Sequence, residues 1–423
     1  MASVYIETYG CTLNQADSDI IAAMLLDHDL VDSAEKADVI VFNTCTVKGA
    51  TENKIFERMK RLSAAGKPFV IAGCLTANIP KIRKRFLRAP IVGTSSLRHI
   101  AQAVEDAFAG IATEYVGHES KDGLPKLLSA PICRVPLNEG CVSKCHFCHT
   151  KAARPFLRSY SPKTVVGWIN DAVRKGAVEI QLTSQDAGAY GFDLKTSLIP
   201  LLNSINKDDS SGSSGKGFLV RLGMINPDHA KRMLPGIIEA LSGPRFYRFI
   251  HVPVQSGSEK VCREMNRDHS VQDFRDIVSA LREAIPDVCI STDVIVGYPT
   301  ETEDDFQETL RMLQDTKPDT VNLSKFSPRP GTVAKSMKQL DNSKIKRRSE
   351  IASALIKGIT LDCRKRYVGR RLRVLITEKE KDFKGRAINY HQVVVKGFKG
   401  NLGDSVDVEI YDANHGSLFG EPI

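Results

Sequence analysis

The pattern that most constrains the fold of this chain is an alternation of strand-like and helix-like segments, which occurs in two long stretches. In the first stretch, residues 1–112, helical patterns lie near residues 14–27, 50–64, 79–88 and 96–108. Short apolar runs bounded by turn residues predict strands at Ser3–Thr8, Val39–Thr44, Phe69–Ala72 and Pro90–Gly93. Strands that alternate with helices at this spacing predict an α/β domain with a doubly wound parallel sheet.

The second stretch, residues 127–362, repeats the alternation. The predicted strands are Ile132–Leu137, Val178–Thr183, Phe218–Leu222, Tyr247–Val252, Cys289–Val296 and Thr320–Phe326. Helical patterns near residues 162–175, 227–242, 271–284 and 303–314 separate most of them. Six βα units predict a partial, TIM-like (βα)6 barrel, whose functional residues lie at the carboxyl ends of the strands.

The last predicted domain, residues 364–423, follows a basic helical stretch that runs from Lys344 to about Tyr367. Short alternating runs predict a small antiparallel β-barrel of the kind that binds single-stranded RNA. Its predicted strands are Leu372–Thr377, Val393–Val395, Ser405–Ile410 and Ser417–Gly420. Elsewhere, the Ser- and Gly-rich composition of residues 207–217 predicts a mobile loop or an engineered scar.

Three cysteines stand close together after the first predicted strand of the barrel. Cys141, Cys145 and Cys148 have the spacing C-x3-C-x2-C. Three thiolates from one loop suit three irons of a [4Fe–4S] cube and leave the fourth iron open to bind a small molecule. The alternative is a zinc site with His146 or His149 as the fourth ligand.

Three further cysteines, Cys11, Cys45 and Cys74, each lie just beyond a predicted strand of the first domain. In doubly wound sheets, ligands bind outside the carboxyl ends of the strands, at the point where the strand order reverses. We interpret these residues as a second set of three cluster ligands. The alternative is that they are small buried residues, since a free cysteine is common in protein cores.

The charge of the chain is unevenly distributed. The whole chain has a net charge of +9, whereas residues 343–400 alone carry 17 Lys and Arg against 5 Asp and Glu. A basic block beside a β-rich domain favours nucleic-acid binding over a merely solvated surface. No apolar run reaches the length of about 18 residues that a membrane helix needs. Ten cysteines without a secretory signal predict a reducing, cytoplasmic location.

Taken together, these motifs resemble the methylthiotransferases of the radical S-adenosylmethionine superfamily, which convert a C–H bond into C–S–CH3. The C-terminal domain resembles their TRAM domain. Besides the Cys141 to Cys148 motif, the resemblance rests on Asn43-Thr44-Cys45-Thr46-Val47, Gly73-Cys74, His251 to Ser258, Met265-Asn266-Arg267, Thr292 to Glu303 and Phe326 to Thr332.

Members of this family differ in substrate. The segment from Leu182 to Gly191 resembles the archaeal and eukaryotic members that act on threonylcarbamoyladenosine at position 37 of tRNA, although Ala187 stands where Thr is usual. A second departure is Pro155-Phe156, where the family pattern has Gly after the arginine. Other members act on isopentenyladenosine in tRNA or on an aspartate of a ribosomal protein, and these substrates are the alternatives.

The resemblance implies two [4Fe–4S] clusters and S-adenosyl-L-methionine as cofactors. The cluster on Cys141, Cys145 and Cys148 would cleave the cofactor to a radical that abstracts hydrogen from adenine C2. The cluster on the other three cysteines, Cys11, Cys45 and Cys74, would carry the sulfur. Implied partners are the anticodon loop of tRNA, an electron-donor protein and a source of sulfur, and no membrane is implied.

Further residues are expected to contact the cofactor or the RNA. The expected cofactor contacts are Phe147, Gln185, Gln255, Ser256 and Asp293. The expected RNA or substrate contacts are Arg154, Arg158 and Arg329, because Arg pairs well with phosphate and carboxylate. The Ser184–Gly191 loop is expected to read the modified base. A non-catalytic RNA-binding protein with structural zinc is the alternative from another functional class.

Overall fold

The computed structural model describes residues 2–46, 49–207 and 217–423. Two features from the sequence lie outside the described residues. They are Val47, the last residue of the Asn43 to Val47 motif, and most of the predicted loop at residues 207–217. Three units follow one another along the chain.

The N-terminal unit is a parallel sheet with helices on both faces. Its strands are β1 Ser3–Thr8, β2 Asp29–Leu30, β3 Val39–Thr44, β4 Phe69–Gly73, β5 Ile91–Val92 and β6 Glu114–Tyr115. Its helices are α1 Thr12–Met24, α2 Gly49–Ala64, α3 Ile79–Arg83 and α4 Ile100–Ala109. All pairings are parallel, in the order β2-β1-β3-β4-β5-β6. The predicted doubly wound sheet is confirmed, and the strand order reverses at β1 and β3.

Strand β3 shows why this sheet is covered on both faces. Val39 and Val41 pack with residues of α1 and α4, whereas Ile40 and Phe42 pack with residues of α2 and α3. Successive residues of a strand point to opposite faces, so an uninterrupted apolar run requires helices on both sides.

The central unit holds the six predicted barrel strands. The strands of this unit are β7 Ile132–Pro136, β8 Asn138–Glu139, β9 Arg158–Ser159, β10 Glu179–Thr183, β11 Leu219–Arg221, β12 Phe249–His251, β13 Cys289–Val296 and β14 Thr320–Lys325. Its helices are α5 Thr150–Ala153, α6 Pro162–Arg174, α7 Leu198–Asn206, α8 Pro227–Arg232, α9 Leu234–Ser242, α10 Glu259–Glu264, α11 Val271–Ala284, α12 Glu303–Thr316 and α13 Val333–Ser336.

These strands form an open barrel. Strands β7, β10 and β11 pair in parallel, as do β12, β13 and β14, and a parallel bridge from Val220 to Phe246 joins the two halves. Among the described residues, no pairing links β14 back to β7. The predicted partial barrel is therefore confirmed. The rim at the carboxyl ends of its strands carries the loop with Cys141, Cys145 and Cys148.

The C-terminal unit is a closed five-stranded barrel that follows helix α14, Asn342–Lys365. Its strands are β15 Arg371–Lys379, β16 Phe383–Ala387, β17 Gln392–Val395, β18 Ser405–Ala413 and β19 Leu418–Pro422. Four of the strand pairings are antiparallel, but β17 and β19 pair in parallel. A purely antiparallel barrel was predicted, and this one closing pair is the difference.

The small barrel docks on the amino ends of the central strands, opposite the cysteine loop. Leu375 and Tyr390 of the small barrel pack with Tyr247, Phe249 and Cys289, which lie at or just before the starts of β12 and β13. Helix α14 runs between the two ends of the central barrel. None of the helices that the structure describes combines the length and the apolar character needed to cross a membrane.

A histidine is buried at this docking surface. His391 Nε2 lies 3.8 Å from Asp319 Oδ1, and the His391 side chain is 1% exposed. Burial, together with Arg364, Arg366 and Arg386, lowers the pKa of His391 to about 3. The unfolded chain takes up a proton on histidine near a pKa of about 6.5. The unfolded state therefore binds more protons than the folded state below that pH, and stability is lost as the pH falls.

We expect His391→Gln to remove this loss of stability in acid. One proton costs about 1.4 kcal/mol of unfolding free energy per pH unit. The stability of H391Q relative to wild type should therefore rise by about 2 kcal/mol between about pH 6.5 and pH 5, and stay constant above about pH 7. Urea denaturation over this range measures the difference. The exposed His415→Gln is the control, and an equal acid response in H391Q and wild type would contradict the prediction.

Candidate active site

The loop with the C-x3-C-x2-C motif leaves the carboxyl end of β7 and returns through the antiparallel pair of β8 and β9. Its two ends lie in close contact. Gly140 has φ +71°, and a Cβ at this position would lie 2.0 Å from the carbonyl oxygen of Phe156. The position before Cys141 therefore requires glycine.

N–H groups surround two of the three sulfurs in this loop. The Ser143 backbone N–H donates to Cys141 Sγ at 3.4 Å, and the Arg267 guanidinium donates to Cys145 Sγ at 3.3 Å. Asn226 Nδ2 lies 3.9 Å from Cys141 Sγ. Hydrogen bonds to the sulfurs stabilise thiolates and adjust the potential of a cluster bound there.

Asp186 organises the polar groups beside Cys141. Its carboxylate is fully buried, accepts a hydrogen bond from Asn226 Nδ2 at 2.7 Å and lies 2.9 Å from His229 Nδ1. Burial would lower the pKa of His229, but Asp186 raises it above its ordinary value. Burial and the charge of Asp186 raise the pKa of the Cys141 thiol to about 11. A coordinated metal ion removes such a proton outright.

The three N-terminal cysteines lie in loops that meet at one edge of the sheet. Cys11 follows β1, Cys45 follows β3 and Cys74 follows β4, and these strands are neighbours. A Cβ on Gly10 would lie 2.9 Å from Cys45 Cβ, so the first two loops are in contact. Burial raises the pKa of the Cys74 thiol to about 11, and the charges of Cys11 and Cys45 also raise it.

Asn14 of α1 holds these loops together. Its Nδ2 donates to the carbonyl oxygens of Tyr9 and Thr44 at 2.9 and 2.7 Å. Its Oδ1 lies 3.6 Å from Cys74 Sγ. One buried amide thus contacts the loops after β1, β3 and β4.

Arg154 connects the N-terminal cysteine loops to the loop that carries Cys141, Cys145 and Cys148, which we call the barrel loop. It is 2% exposed, and its guanidinium pairs with Asp17 of α1 and Glu139 of β8. It also donates to Asn14 Oδ1 at 3.2 Å. Because Glu139 stands two residues before the first cysteine of the barrel loop, a single side chain links the two cysteine groups.

Lys121 completes a group of four buried charges. Its ammonium pairs with Asp17 and Glu139, and its side chain is 1% exposed. Two cations therefore face two carboxylates. Burial would raise the pKa of Asp17, but Arg154 and Lys121 lower it below its ordinary value. We call Asp17, Lys121, Glu139 and Arg154 the buried charge quartet.

A second contact between the N-terminal unit and the barrel involves Arg329, in the loop after β14. Its Nη2 donates to the Thr46 carbonyl oxygen at 2.6 Å and pairs with Glu52 of α2. Burial and the charge of Arg329 lower the pKa of His149, which follows the last cysteine of the barrel loop. The two cysteine groups are thus flanked by contacts between the units on two sides.

Two of the expected cofactor contacts lie against the barrel loop. Phe147 packs on an apolar cluster that includes Met265 and Tyr298. Gln185 accepts a hydrogen bond from the Gly140 N–H at 2.9 Å, so it supports the loop directly.

Two other expected contacts, Gln255 and Asp293, lie on adjacent segments of the rim. The Gln255 N–H bonds the Asp293 carbonyl oxygen at 2.8 Å. The Asp293 carboxylate lies 2.9 Å from His251 Nε2 and accepts from Asn322 Nδ2 at 2.8 Å. Burial would raise the pKa of Asp293, but His251 and Asn322 lower it, so the side chain is an anion held in place.

Two expectations do not fit their positions in the structure. Ser256 is fully buried, and its hydroxyl lies 3.2 Å from Thr309 of the outer helix α12, so it is not turned toward a cofactor. In the loop from Ser184 to Gly191, all residues from Asp186 onward are buried. Only the first two positions of that loop remain partly exposed to a ligand.

The three arginines expected to contact RNA have different surroundings. Arg154 is buried in the charge quartet, and Arg329 has a side chain that is 11% exposed and paired with Glu52. Both guanidiniums are therefore used within the protein rather than presented to RNA. Arg158 is partly exposed and donates to the Glu119 carbonyl oxygen at 2.6 Å.

Three residues near the sulfurs were not among the expected cluster ligands or cofactor contacts: Asp186, Asn226 and Arg267. Arg267 also donates to Asn226 Oδ1 at 2.8 Å, so the three belong to one network. Asp186 and Asn226 follow β10 and β11, where the rule that functional groups lie at the carboxyl ends of strands could have found them. Arg267 comes from the loop after α10 and belongs to the Met265-Asn266-Arg267 motif of the family resemblance, which could have indicated it.

The donor set fits an iron–sulfur cube better than a zinc ion. The motif supplies three thiolates from one loop, whereas a closed zinc site takes four ligands. His146 Nδ1 lies 2.8 Å from the Glu264 carbonyl oxygen and is therefore engaged. Zinc requires its ligands around one centre, whereas each thiolate of a cube binds a different iron.

Three family models match the chain. Residues 3–91 match "Uncharacterized protein family UPF0004", residues 135–313 match the radical SAM superfamily and residues 365–423 match the TRAM domain. Among solved structures, a radical S-adenosylmethionine methyltransferase, TsrM from Kitasatospora setae, has a TM-score of 0.56 at 12% identity and covers 79% of this chain and 75% of its own. A likeness at this identity supports the fold alone.

Full-length relatives are much more similar in sequence. A "Probable threonylcarbamoyladenosine tRNA methylthiotransferase" of Pyrococcus horikoshii is 36% identical, and the alignment covers 100% of both chains. Its namesake from Archaeoglobus fulgidus is 40% identical over 99% of this chain and 98% of its own. The "Threonylcarbamoyladenosine tRNA methylthiotransferase" of Homo sapiens is 33% identical over 99% of this chain and 74% of its own.

Removing the Arg154 guanidinium should leave two buried carboxylates facing one cation. We expect Arg154→Met to lower the free energy of unfolding by about 3–5 kcal/mol, as broken buried ion pairs do. Adding Glu139→Gln to R154M leaves one carboxylate facing one cation, so the double variant should recover part of the lost free energy of unfolding. Arg174→Ala breaks an ion pair in which the Arg174 side chain is 71% exposed, and should cost less than about 1 kcal/mol. Equal urea midpoints for R154M and R174A would contradict the importance of the quartet.

Proposed function

Because this chain belongs to the family of threonylcarbamoyladenosine tRNA methylthiotransferases, we propose that it converts N6-threonylcarbamoyladenosine at position 37 of tRNA into its 2-methylthio derivative. The observation that carries the proposal is the junction of two separate groups of three cysteines through one buried arginine. Replacing an aromatic C–H by C–S–CH3 needs a radical source and a sulfur carrier at the same base. Two adjacent cysteine groups supply a place for each.

The chain is a radical SAM enzyme, a class that uses S-adenosylmethionine with a [4Fe–4S] cluster. We propose that Cys141, Cys145 and Cys148 hold that cluster, which supplies the electron for cofactor cleavage. Asp186 and Gln185 contact the loop that carries these cysteines, and Arg267 places positive charge beside Cys145 Sγ.

We propose that Cys11, Cys45 and Cys74 hold a second [4Fe–4S] cluster that carries the sulfur. The contact of their three loops supports this assignment. The Arg154 guanidinium near Cys74 opposes the effect of burial on the thiol pKa, because it favours the thiolate that a metal needs. An electron-donor protein and a source of sulfur are the partners that this chemistry requires.

We propose that Asp293 contacts the bound cofactor from the rim of the barrel. Its carboxylate is held by two neighbours, and its side chain remains 27% exposed. An oriented anion at the carboxyl end of a barrel strand suits hydrogen bonding to an amino group or to ribose hydroxyls. Gln255 and Phe147 lie in segments that border the same rim and complete the proposed cofactor pocket.

We propose three functional domains, residues 1–112, 127–362 and 364–423, with the last as the RNA-docking domain. Arg373, Phe398 and Lys399 line a groove of about 700 Å³ on that barrel. Cationic side chains around an aromatic ring suit the phosphates and bases of single-stranded RNA. The groove lies on a unit docked against the far end of the central barrel from the cysteines.

Iron analysis separates the two proposed clusters. Anaerobically reconstituted wild type should bind about eight irons, the content of two cubes. Replacing Cys141, Cys145 and Cys148 by Ala should leave about four irons and abolish release of 5′-deoxyadenosine. Replacing Cys11, Cys45 and Cys74 should also leave about four irons but keep that release.

The buried Cys133→Ala is the matched control and should keep the full iron content, because Cys133 lies in the apolar core of the central barrel. Full iron content in the Cys11, Cys45 and Cys74 variant would remove the second cluster from the proposal.

The substrate is tested with matched tRNAs that carry unmodified, isopentenylated or threonylcarbamoylated adenosine at position 37. The target base must leave its stack for chemistry at C2, and single-stranded loops permit this. We expect turnover only on the third tRNA, seen by mass spectrometry of the nucleosides as a gain of one sulfur and one CH2. Turnover on the isopentenylated tRNA, or on a ribosomal-protein peptide instead of RNA, would overturn the substrate assignment.

A further inference from the structure

The loop that carries the cluster cysteines ends in an exposed aromatic residue. Phe156 has 54% of its surface exposed, although a buried phenylalanine would gain about 1.5–3 kcal/mol from leaving water. Single exposed apolar side chains are common and mean little by themselves. The surroundings of Phe156 distinguish it.

A polar ring and a cationic guanidinium flank Phe156. The His118 ring packs edge-on against it, with centroids 4.9 Å apart and planes at 86°. The Arg158 guanidinium lies 6.0 Å from the Phe156 ring centroid. His118 is itself exposed, so the patch faces solvent. We call Phe156, His118 and Arg158 the aromatic patch.

The backbone that carries Phe156 and the guanidinium of Arg158 are both held by neighbouring groups. The carbonyl oxygen of Phe156 packs so closely on Gly140 that a Cβ there would lie 2.0 Å away. The Arg158 Nη1 donates to the Glu119 carbonyl oxygen at 2.6 Å, which fixes the guanidinium. Pro155 restricts the backbone just before the ring. A backbone constrained in this way loses little conformational entropy when a ligand stacks on the side chain that it carries.

The patch also lies where the two halves of the active site meet. Gly140, under Phe156, directly precedes Cys141, whereas His118 belongs to the segment that leads from the N-terminal unit to the barrel. A ligand on this patch would therefore contact both units beside the cysteine loop.

We propose that the aromatic patch is a stacking platform for an unpaired base of the RNA substrate, next to the base that reacts. This inference rests on the proposed function and names a surface that holds the RNA. Single-stranded nucleic acids bind by stacking bases on aromatic rings while cations pair with their phosphates. Phe156 supplies the ring, and Arg158 and His118 supply the polar groups beside it.

The test uses the full-length, reconstituted enzyme and the threonylcarbamoylated tRNA. We expect Phe156→Ala to weaken tRNA binding about tenfold, the effect of losing one stacked base. Phe156→Trp should bind at least as well as wild type, whereas Phe156→Leu should behave like the Ala variant despite its apolar bulk. The melting temperature of each variant shows whether it is folded.

The control is Phe108→Ala. Phe108 is 62% exposed near the end of α4, and among the described residues it has no ring or cation partner. Helix α4 runs back from the carboxyl edge of the sheet, so its end lies away from the cysteine loops. We expect F108A to bind tRNA as wild type does.

A fluorescence signal gives an independent readout. The chain has one tryptophan, Trp168, which is partly buried and packs against Tyr160. The new tryptophan in F156W is exposed, so base stacking should quench its emission when tRNA is added. Quenching that saturates with the binding curve supports the platform, and emission that tRNA leaves unchanged would overturn it.

The outcomes separate this inference from the proposed function. If wild type modifies the tRNA but F156A and F108A bind it equally well, the platform is wrong and the function stands. If wild type modifies none of the tRNAs but F156A still binds them more weakly than F108A, the platform stands and the function fails. If F156A binds tRNA normally, is reduced more slowly than wild type by a donor protein and is reduced as fast as wild type by dithionite, the patch is a protein-docking surface. That result overturns the inference.

Discussion

The buried charge quartet is the interaction on which the rest of the site depends. Arg154 and Lys121 neutralise Asp17 and Glu139 in a volume where an unpaired charge would cost several kcal/mol. Asp17 belongs to helix α1 of the N-terminal unit, whereas Glu139 belongs to the strand before the cysteine loop. Neither unit can leave the other without exposing or unbalancing this group. The relative position of the two cysteine groups is therefore fixed by electrostatics and not by apolar packing alone.

Topology explains why six cysteines from distant parts of the sequence lie on the same side. Parallel strands deliver all their carboxyl ends to one edge, in the sheet and in the barrel alike. Cys11, Cys45 and Cys74 follow three adjacent strands of the sheet, and the barrel loop follows β7. Docking the two edges against each other brings both groups to the interface. Asn14 then joins the sheet loops to Arg154 at 3.2 Å.

Much of this arrangement can be predicted from the sequence, because it depends on local periodicity and on motif spacing. All six barrel strands and the convergence of the cysteine loops follow from such patterns. The two-residue strands β2, β6, β8 and β9 are not predicted because they are too short to show alternation, and β16 is not predicted because Lys384, Gly385 and Arg386 interrupt its apolar pattern. The burial of Arg154 cannot be predicted from the sequence either. An arginine on a loop looks the same in sequence whether its partners are phosphates or carboxylates from another unit.

The docking of the small barrel on the amino ends of the central strands has a consequence for size selection. Helix α14 spans the depth of the central barrel, from Ile345 against Gly297 at one end to Arg364 on the Asp319 carbonyl at the other. The 20 residues from Ile345 to Arg364 rise by about 29 Å along the helix. The small barrel and the cysteine loops therefore lie at opposite ends of the central barrel, separated by the depth of that barrel. A single nucleoside is too small to contact both ends at once, whereas a folded RNA is long enough to do so.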